Sequence, residues 1–164
     1  MIVMGIDPGL ALMGWSIIEC EKSRMRLVNY GCLTTYAHTP TPMRLKSLMA
    51  GMRDLITTYK PDEIAFEELF FARNVTTAFT VGAARGVAIT AAAEYTEKLY
   101  EYTPMQIKQA VVGYGRAEKK QIQNMVKLML RMDEIPQPDD AADAIACAIT
   151  HINTGLAREQ FRMK

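Results

Sequence analysis

Two short apolar runs in this chain each end on a carboxylate, and that arrangement restricts the possible folds more than any other feature. Ile2 to Ile6 leads into Asp7, followed at once by Pro8-Gly9, and Ile64-Ala65-Phe66 leads into Glu67. Runs of this length and composition, closed by turn residues, read as strands. If the two strands are parallel neighbours, their ends share one edge of a sheet, which is where open α/β sheets place their ligands. A second pair of acids, Asp140 and Asp143, stands beside the alanine-rich stretch Ala141 to Ala148. A helix there puts both on one face, one turn apart.

Ionised carboxylates crowded together repel, and burying them unpaired costs several kcal/mol each in order of magnitude. With no cation expected beside them, the four acids predict a divalent metal site. All-oxygen ligation favours Mg2+ or Mn2+ over zinc, because no Cys or His falls at a useful spacing. His151 lies on the same predicted helix but a rise of roughly 16 Å beyond Asp140, so it cannot share a metal with it and reads as a helix-end or packing histidine. Asp139 has a four-residue spacing to Asp143 that also suits one helical face, and Glu68 adjoins Glu67. Geometry alone does not choose between these neighbours.

At 164 residues with 49% hydrophobic side chains, the chain is long enough for one domain spanning 1–164 with a substantial core. Cys20, Cys32 and Cys147 are scattered and odd in number, which predicts inert buried thiols in a reducing compartment. No signal segment or membrane-length apolar run is evident, so the expected location is cytoplasmic. The net charge of +1 hides a partition. Between Met105 and Arg131 lie Lys108, Arg116, Lys119, Lys120, Lys127 and Arg131 against the single acid Glu118, whereas Asp133 to His151 holds five acids and no Lys or Arg. A basic face beside an acidic pocket suits a metal-dependent enzyme acting on a polyanion; solvated helix faces whose charges happen to segregate are the plainer alternative.

Extended segments near Ile2 to Ile6, Leu12 to Cys20 and Met25 to Thr35 suit antiparallel hairpins. A helix follows, capped by Thr41 and opened by Pro42, with Leu45, Leu48, Met49, Met52, Leu55, Ile56 and Tyr59 as its apolar stripe. After the Glu67 strand come a helix beyond Asn74, a strand near Leu99 to Thr103, and helices from Pro104 onward. The order β-β-β-α-β-α-β-α-α predicts an α/β fold: a mixed five-stranded sheet flanked by helices on both faces. Gly82 and Gly86 sit a turn apart inside the second helix. Glycine in a helix costs up to ~1 kcal/mol against alanine, so the pair implies that another backbone packs close, either within the chain or across a subunit interface.

Gly113-Tyr114-Gly115 reads as a mobile loop before a helix that begins with Arg116, Lys119 and Lys120. Cations at a helix N-terminus oppose its dipole, and an external phosphate would offset that. The loop lacks the glycine spacing of a nucleotide-binding P-loop, so the expected ligand is a nucleic-acid backbone phosphate. Phe70 and Phe71 follow Glu67, and alternation would turn one of them outward, where a ring can stack on a base; burial of both is the alternative.

Taken together, Gly5-Ile6-Asp7-Pro8-Gly9, Phe66-Glu67-Glu68-Leu69-Phe70, Ala84-Arg85-Gly86-Val87-Ala88, Gln106-Ile107-Lys108-Gln109, Ala117-Glu118-Lys119 and Asp140-Ala141-Ala142-Asp143-Ala144, the last running on to His151, resemble the RuvC family of Holliday-junction resolvases in the same order. The resemblance implies a ribonuclease-H-like fold and a homodimer. It implies a catalytic, metal-holding quartet of Asp7, Glu67, Asp140 and Asp143, with two Mg2+ per site and Mn2+ able to substitute. It further implies Lys108 and Lys119 as phosphate-contacting or catalytic-support residues, Phe70 as a stacking residue, and cooperation with the RuvA-RuvB branch-migration complex on four-way junction DNA. The family register also chooses Asp140 over Asp139 and Glu67 over Glu68. Leu10 departs from the pattern, which often has a small hydroxyl residue there, and Trp15 falls where an aromatic is usual. The rival readings are another ribonuclease-H-like nuclease acting on RNA-DNA hybrids or RNA ends, and a catalytically inactive junction-binding module, which would gain nothing from four acids beside the DNA.

Overall fold

The computed structural model describes residues 1–22, 24–69 and 75–164. Its elements are β1 (Ile2–Asp7), β2 (Leu12–Glu21), β3 (Arg24–Thr34), α1 (Thr41–Tyr59), β4 (Glu63–Glu67), α2 (Val75–Ala93), β5 (Leu99–Tyr102), α3 (Pro104–Val112), α4 (Lys119–Met129), α5 (Asp139–Thr154) and a terminal 3-10 turn, Gly155–Phe161. The strands form one mixed sheet in the order β3-β2-β1-β4-β5. β1 pairs antiparallel with β2 and parallel with β4, and β5 continues the parallel half.

Alternation along the central strands sends successive side chains to opposite faces. Met4 and Ile6 of β1, with Ile64 and Phe66 of β4, join a core with Leu48, Met52 and Ile56 of α1 and Ala84 and Ala88 of α2. Val3 and Ala65 face the other way, into a core formed with α3, α4 and α5. The same two-residue period puts Asp7 and Glu67 on the side of the sheet that α5 covers.

α5 lies unusually close to that face. A Cβ on Gly5 would stand 2.1 Å from the Ala144 carbonyl oxygen, and one on Gly14 would stand 1.9 Å from that of Asp140. Only glycine admits a helix backbone at such range. Ser16 completes the seam, its hydroxyl donating to the Ala144 carbonyl at 2.9 Å. The small side chains of α5, among them Ala141, Ala144 and Ala148, are buried, which keeps the helix flat against the strands.

Three sequence expectations change. Thr41 is the first helical residue of α1 and Pro40 takes the cap position with no side-chain cap bond, so the start lies one residue earlier than expected. Three helices follow β5, one more than the expected order, because Gly113 ends α3 in the left-handed conformation and closes it with a hydrogen bond to the Gln109 carbonyl. The thiols are all free, but only Cys147 is buried; Cys20 and Cys32 are partly exposed.

Candidate active site

Asp7 is the last residue of β1 and Glu67 the last of β4, and because these strands are parallel neighbours both carboxylates emerge at one edge of the sheet. α5 begins at Asp139, with Pro138 at the cap position. Asp140 and Asp143 therefore project from its first turns, over the same edge. The close seam at Gly14, where the Asp140 backbone crosses β2, sets how near they come.

Three of the acids feel one another and Asp140 through a shared electrostatic field. Burial pushes the Asp7 carboxyl up to about 9, reinforced by Glu67, Asp143 and Asp140. Burial, then Asp143, pushes Glu67 up to about 7, against the pull of Lys119 and Lys108. Asp143 is raised by burial and held back by its bond to Lys119. Buried carboxylates that repel one another favour the protonated form.

The expectation that no cation lies nearby is wrong. Lys119, first residue of α4, places its Nζ 2.9 Å from Asp143 Oδ2 and 3.3 Å from Asp139 Oδ2. Burial opposes its charge, but these ion pairs hold the ammonium above its ordinary value. The contact depends on α4 packing beside α5, which no local spacing encodes. Lys119 also lines a cavity of about 250 Å3 together with Glu67, Lys108, Ile107, Ile122 and Asp143.

By chemistry the acids fit a hard divalent cation: all-oxygen donors, largely buried, each disfavouring its neighbour's charge. They form an electrostatic cluster and not a closed coordination shell, for among the described residues no three His, Cys, Asp or Glu side chains stand grouped to hold one ion. Cys32, on β3, is a neighbour that sequence reasoning passed over. Its thiol is pushed up to about 11 by burial and then by Asp140 and Asp7. Only the pairing of Cys32 with Gly14 across the β2–β3 ladder brings it there.

The other expected residues divide. Lys120 is exposed in the first turn of α4, Arg116 is exposed in the loop before it and not on the helix as expected, and Lys108 is partly buried at the cavity. The preceding loop is braced: the Gln109 side-chain amide donates to the Gly113 carbonyl at 3.0 Å, and Ala117 N donates to the Tyr114 carbonyl at 3.1 Å. Phe70 and Phe71 lie outside the described residues. Among the described residues no other backbone of this chain approaches Gly82 or Gly86, since a Cβ on either would meet nothing within 4 Å. Ala84 and Ala88 take the inward face of α2, which turns the glycines outward. His151 is fully buried and far from the acids along α5. Its Nδ1 bonds the Tyr102 hydroxyl and its Nε2 bonds Glu63 Oε2, each at 2.8 Å.

Comparison with known proteins places these features in context. The family model described as crossover junction endodeoxyribonuclease RuvC matches residues 3–151. A protein of that name from Brevibacillus brevis is 57% identical over 151 residues, covering 92% of this chain and 91% of the relative. The Thermus thermophilus RuvC structure aligns with a TM-score of 0.88 at 35% identity, covering 98% of both chains. The structure of T. thermophilus RuvC in complex with a Holliday junction substrate aligns with a TM-score of 0.86 at 33% identity, covering 94% of both chains.

Proposed function

The chain belongs to the RuvC family of crossover junction endodeoxyribonucleases and is a ribonuclease-H-like nuclease that resolves Holliday junctions, and from that premise we propose that Asp7, Glu67, Asp140 and Asp143 carry the reaction. The observation behind this is the shared burial and mutual repulsion of these acids at one sheet edge. They would hold two Mg2+ ions, with Mn2+ able to substitute. When bound, such ions supply an activated water and charge stabilisation for an in-line displacement that leaves 5′-phosphate and 3′-hydroxyl ends.

The protein's own residues perform the remaining work. Asp7 and Glu67 stand at the ends of paired strands, so their backbones are placed before substrate arrives. Lys119 and Lys108, beside the cavity that holds Glu67 and Asp143, receive the phosphate on which cutting occurs. Arg116 and Lys120, exposed next to them, contact flanking backbone phosphates, and Phe70 stacks on a base near the cut.

A four-way junction has two-fold symmetry, and resolving it takes two matched nicks, which an isologous dimer supplies. The outward-facing Gly82 and Gly86 support α2 as its interface. Beside them lies a groove of about 650 Å3 lined by Leu69, Ala78, Phe79 and Ala83, with Phe79 76% exposed. The chain then acts as one nuclease domain, 1–164, per protomer, in the cytoplasm and with the RuvA-RuvB complex. No helix among the described residues is long and apolar enough to cross a membrane.

The deciding experiment compares end-labelled junction, linear duplex and RNA-DNA hybrid in parallel, with Mg2+ and with chelator. Paired symmetric nicks in the junction alone, abolished by chelator, are expected. Preferential cutting of the hybrid would overturn the reading.

A further inference from the structure

Asp139 lies outside the proposed quartet, yet it makes two directed contacts beside the site. It is the first residue of α5 and faces the first turns of α4. Its Oδ1 accepts from the Gln123 side-chain amide at 2.8 Å, and its Oδ2 faces Lys119 Nζ at 3.3 Å. Lys119 and Gln123 are one helical turn apart, so a single carboxylate reaches both. The third side of the arrangement is the 2.9 Å contact from Lys119 to Asp143.

The Asp139 side chain is 52% exposed, and an exposed ion pair with a long flexible lysine ordinarily restrains little. Gln123 alters that. It is buried, at 9% exposure, and its amide fixes one carboxylate oxygen so that the other points at the ammonium. An ammonium on a four-carbon stem samples many directions; here α4 supplies the lysine and Gln123, and Asp139 of α5, held by Gln123, aims the ammonium at Asp143.

We propose that Asp139 is a positioning residue for Lys119: anchored by Gln123, it holds the ammonium at the acid cluster where the scissile phosphate arrives, and retains it there when Asp143 is engaged elsewhere. The proposal rests on the reading of Lys119 as a phosphate contact. It carries a consequence opposite to simple electrostatics, in which deleting an acid near DNA tightens binding.

The test uses the full chain and junction DNA, comparing Lys119→Gln, Asp139→Asn, Gln123→Leu and the Lys119→Gln/Asp139→Asn double variant with wild type. Junction affinity is measured in chelator at several salt concentrations, alongside single-turnover cleavage rate in Mg2+ and thermal stability. Lys119→Gln should lower the salt slope by about one unit, the loss of one phosphate contact. Asp139→Asn should lower it by a similar amount and slow cleavage on the order of tenfold, Gln123→Leu should follow in the same direction, and the double variant should be no worse than Lys119→Gln alone. Asp139→Glu should recover part of both losses. An unchanged slope in Lys119→Gln overturns the phosphate-contact reading, and the proposal with it. A lowered slope there, with unchanged or tighter binding in Asp139→Asn or with losses that multiply in the double variant, overturns the role of Asp139 alone.

Discussion

At the scale of single residues, the site is held in tension by its own charges. Asp7 and Glu67 bind protons more tightly folded than unfolded, with values near 9 and 7 against ordinary values of 3.8 and 4.5. A carboxyl raised in the folded state contributes stability that is full below its unfolded value and is lost progressively as pH rises to the folded one. In chelator these two groups should therefore lower the melting temperature progressively between about pH 4 and pH 9, Glu67 completing its share near pH 7 and Asp7 near pH 9. Asp7→Asn should flatten that decline, and added Mg2+ should raise the melting temperature more at pH 8.5 than at pH 6; scanning fluorimetry across pH checks all three. Asp7→Asn, Glu67→Gln, Asp140→Asn and Asp143→Asn should each reduce junction cutting to background while leaving binding in chelator largely intact. Near-normal cutting by Asp140→Asn, with loss in Asp139→Asn, would move the quartet by one residue.

At the scale of elements, α5 is the part whose position matters most, since its first turns bring Asp140 and Asp143 to the strand ends. Gly14→Ala would drive a methyl group into the Asp140 carbonyl. The expected cost is about 1–3 kcal/mol of stability, as for other overpacked sites, with cleavage falling further than binding because the helix and its acids are displaced. Urea titration and single-turnover kinetics on the same variant separate the two effects. At the far end of α5, Tyr102, His151 and Glu63 form a buried chain that Arg158 extends with a 3.1 Å contact to Glu63. Burial lowers the His151 value below its ordinary 6.5, so its share of stability is present above that pH and lost as pH falls below it. His151→Phe should remove this acid-side loss and, by breaking the buried hydrogen bonds to Tyr102 and Glu63, cost about 1–3 kcal/mol at neutral pH.

At the scale of the whole molecule, one sheet separates two kinds of surface. The α5 side carries the acids, with Lys108, Lys119 and Lys120 nearby; the outer face of α2 carries exposed Phe79 and the two glycines. Because a Cβ on either glycine would meet no other atom within 4 Å among the described residues, Gly86→Leu should leave the protomer's circular dichroism unchanged. It should shift sedimentation at tens of micromolar from dimer to monomer and convert paired cuts into single nicks. A wild-type protein that sediments as a monomer and still makes paired cuts would refute α2 as the interface.

Much of this was legible locally. The ends of two apolar runs located Asp7 and Glu67 within one residue of their observed strand ends, because a strand's period and its closing turn are written in adjacent residues. The alanine-rich stretch likewise predicted Asp140 and Asp143 on one helix, and family motifs chose their register. The partners of those acids were a different matter. Lys119 reaches Asp143 only because α4 packs beside α5, and Cys32 approaches Asp7 only through the β2–β3 ladder. Glycines inside a helix predicted a close approach, and none is made to them among the described residues of this chain. Sequence by itself determined the five strands and most of the helices, and the edge on which Asp7 and Glu67 emerge, since those follow from periodicity and turn chemistry. Only the tertiary structure decided how near α5 lies to the sheet and which cation meets its acids, because contacts between distant segments are set by packing and leave no signal in local spacing.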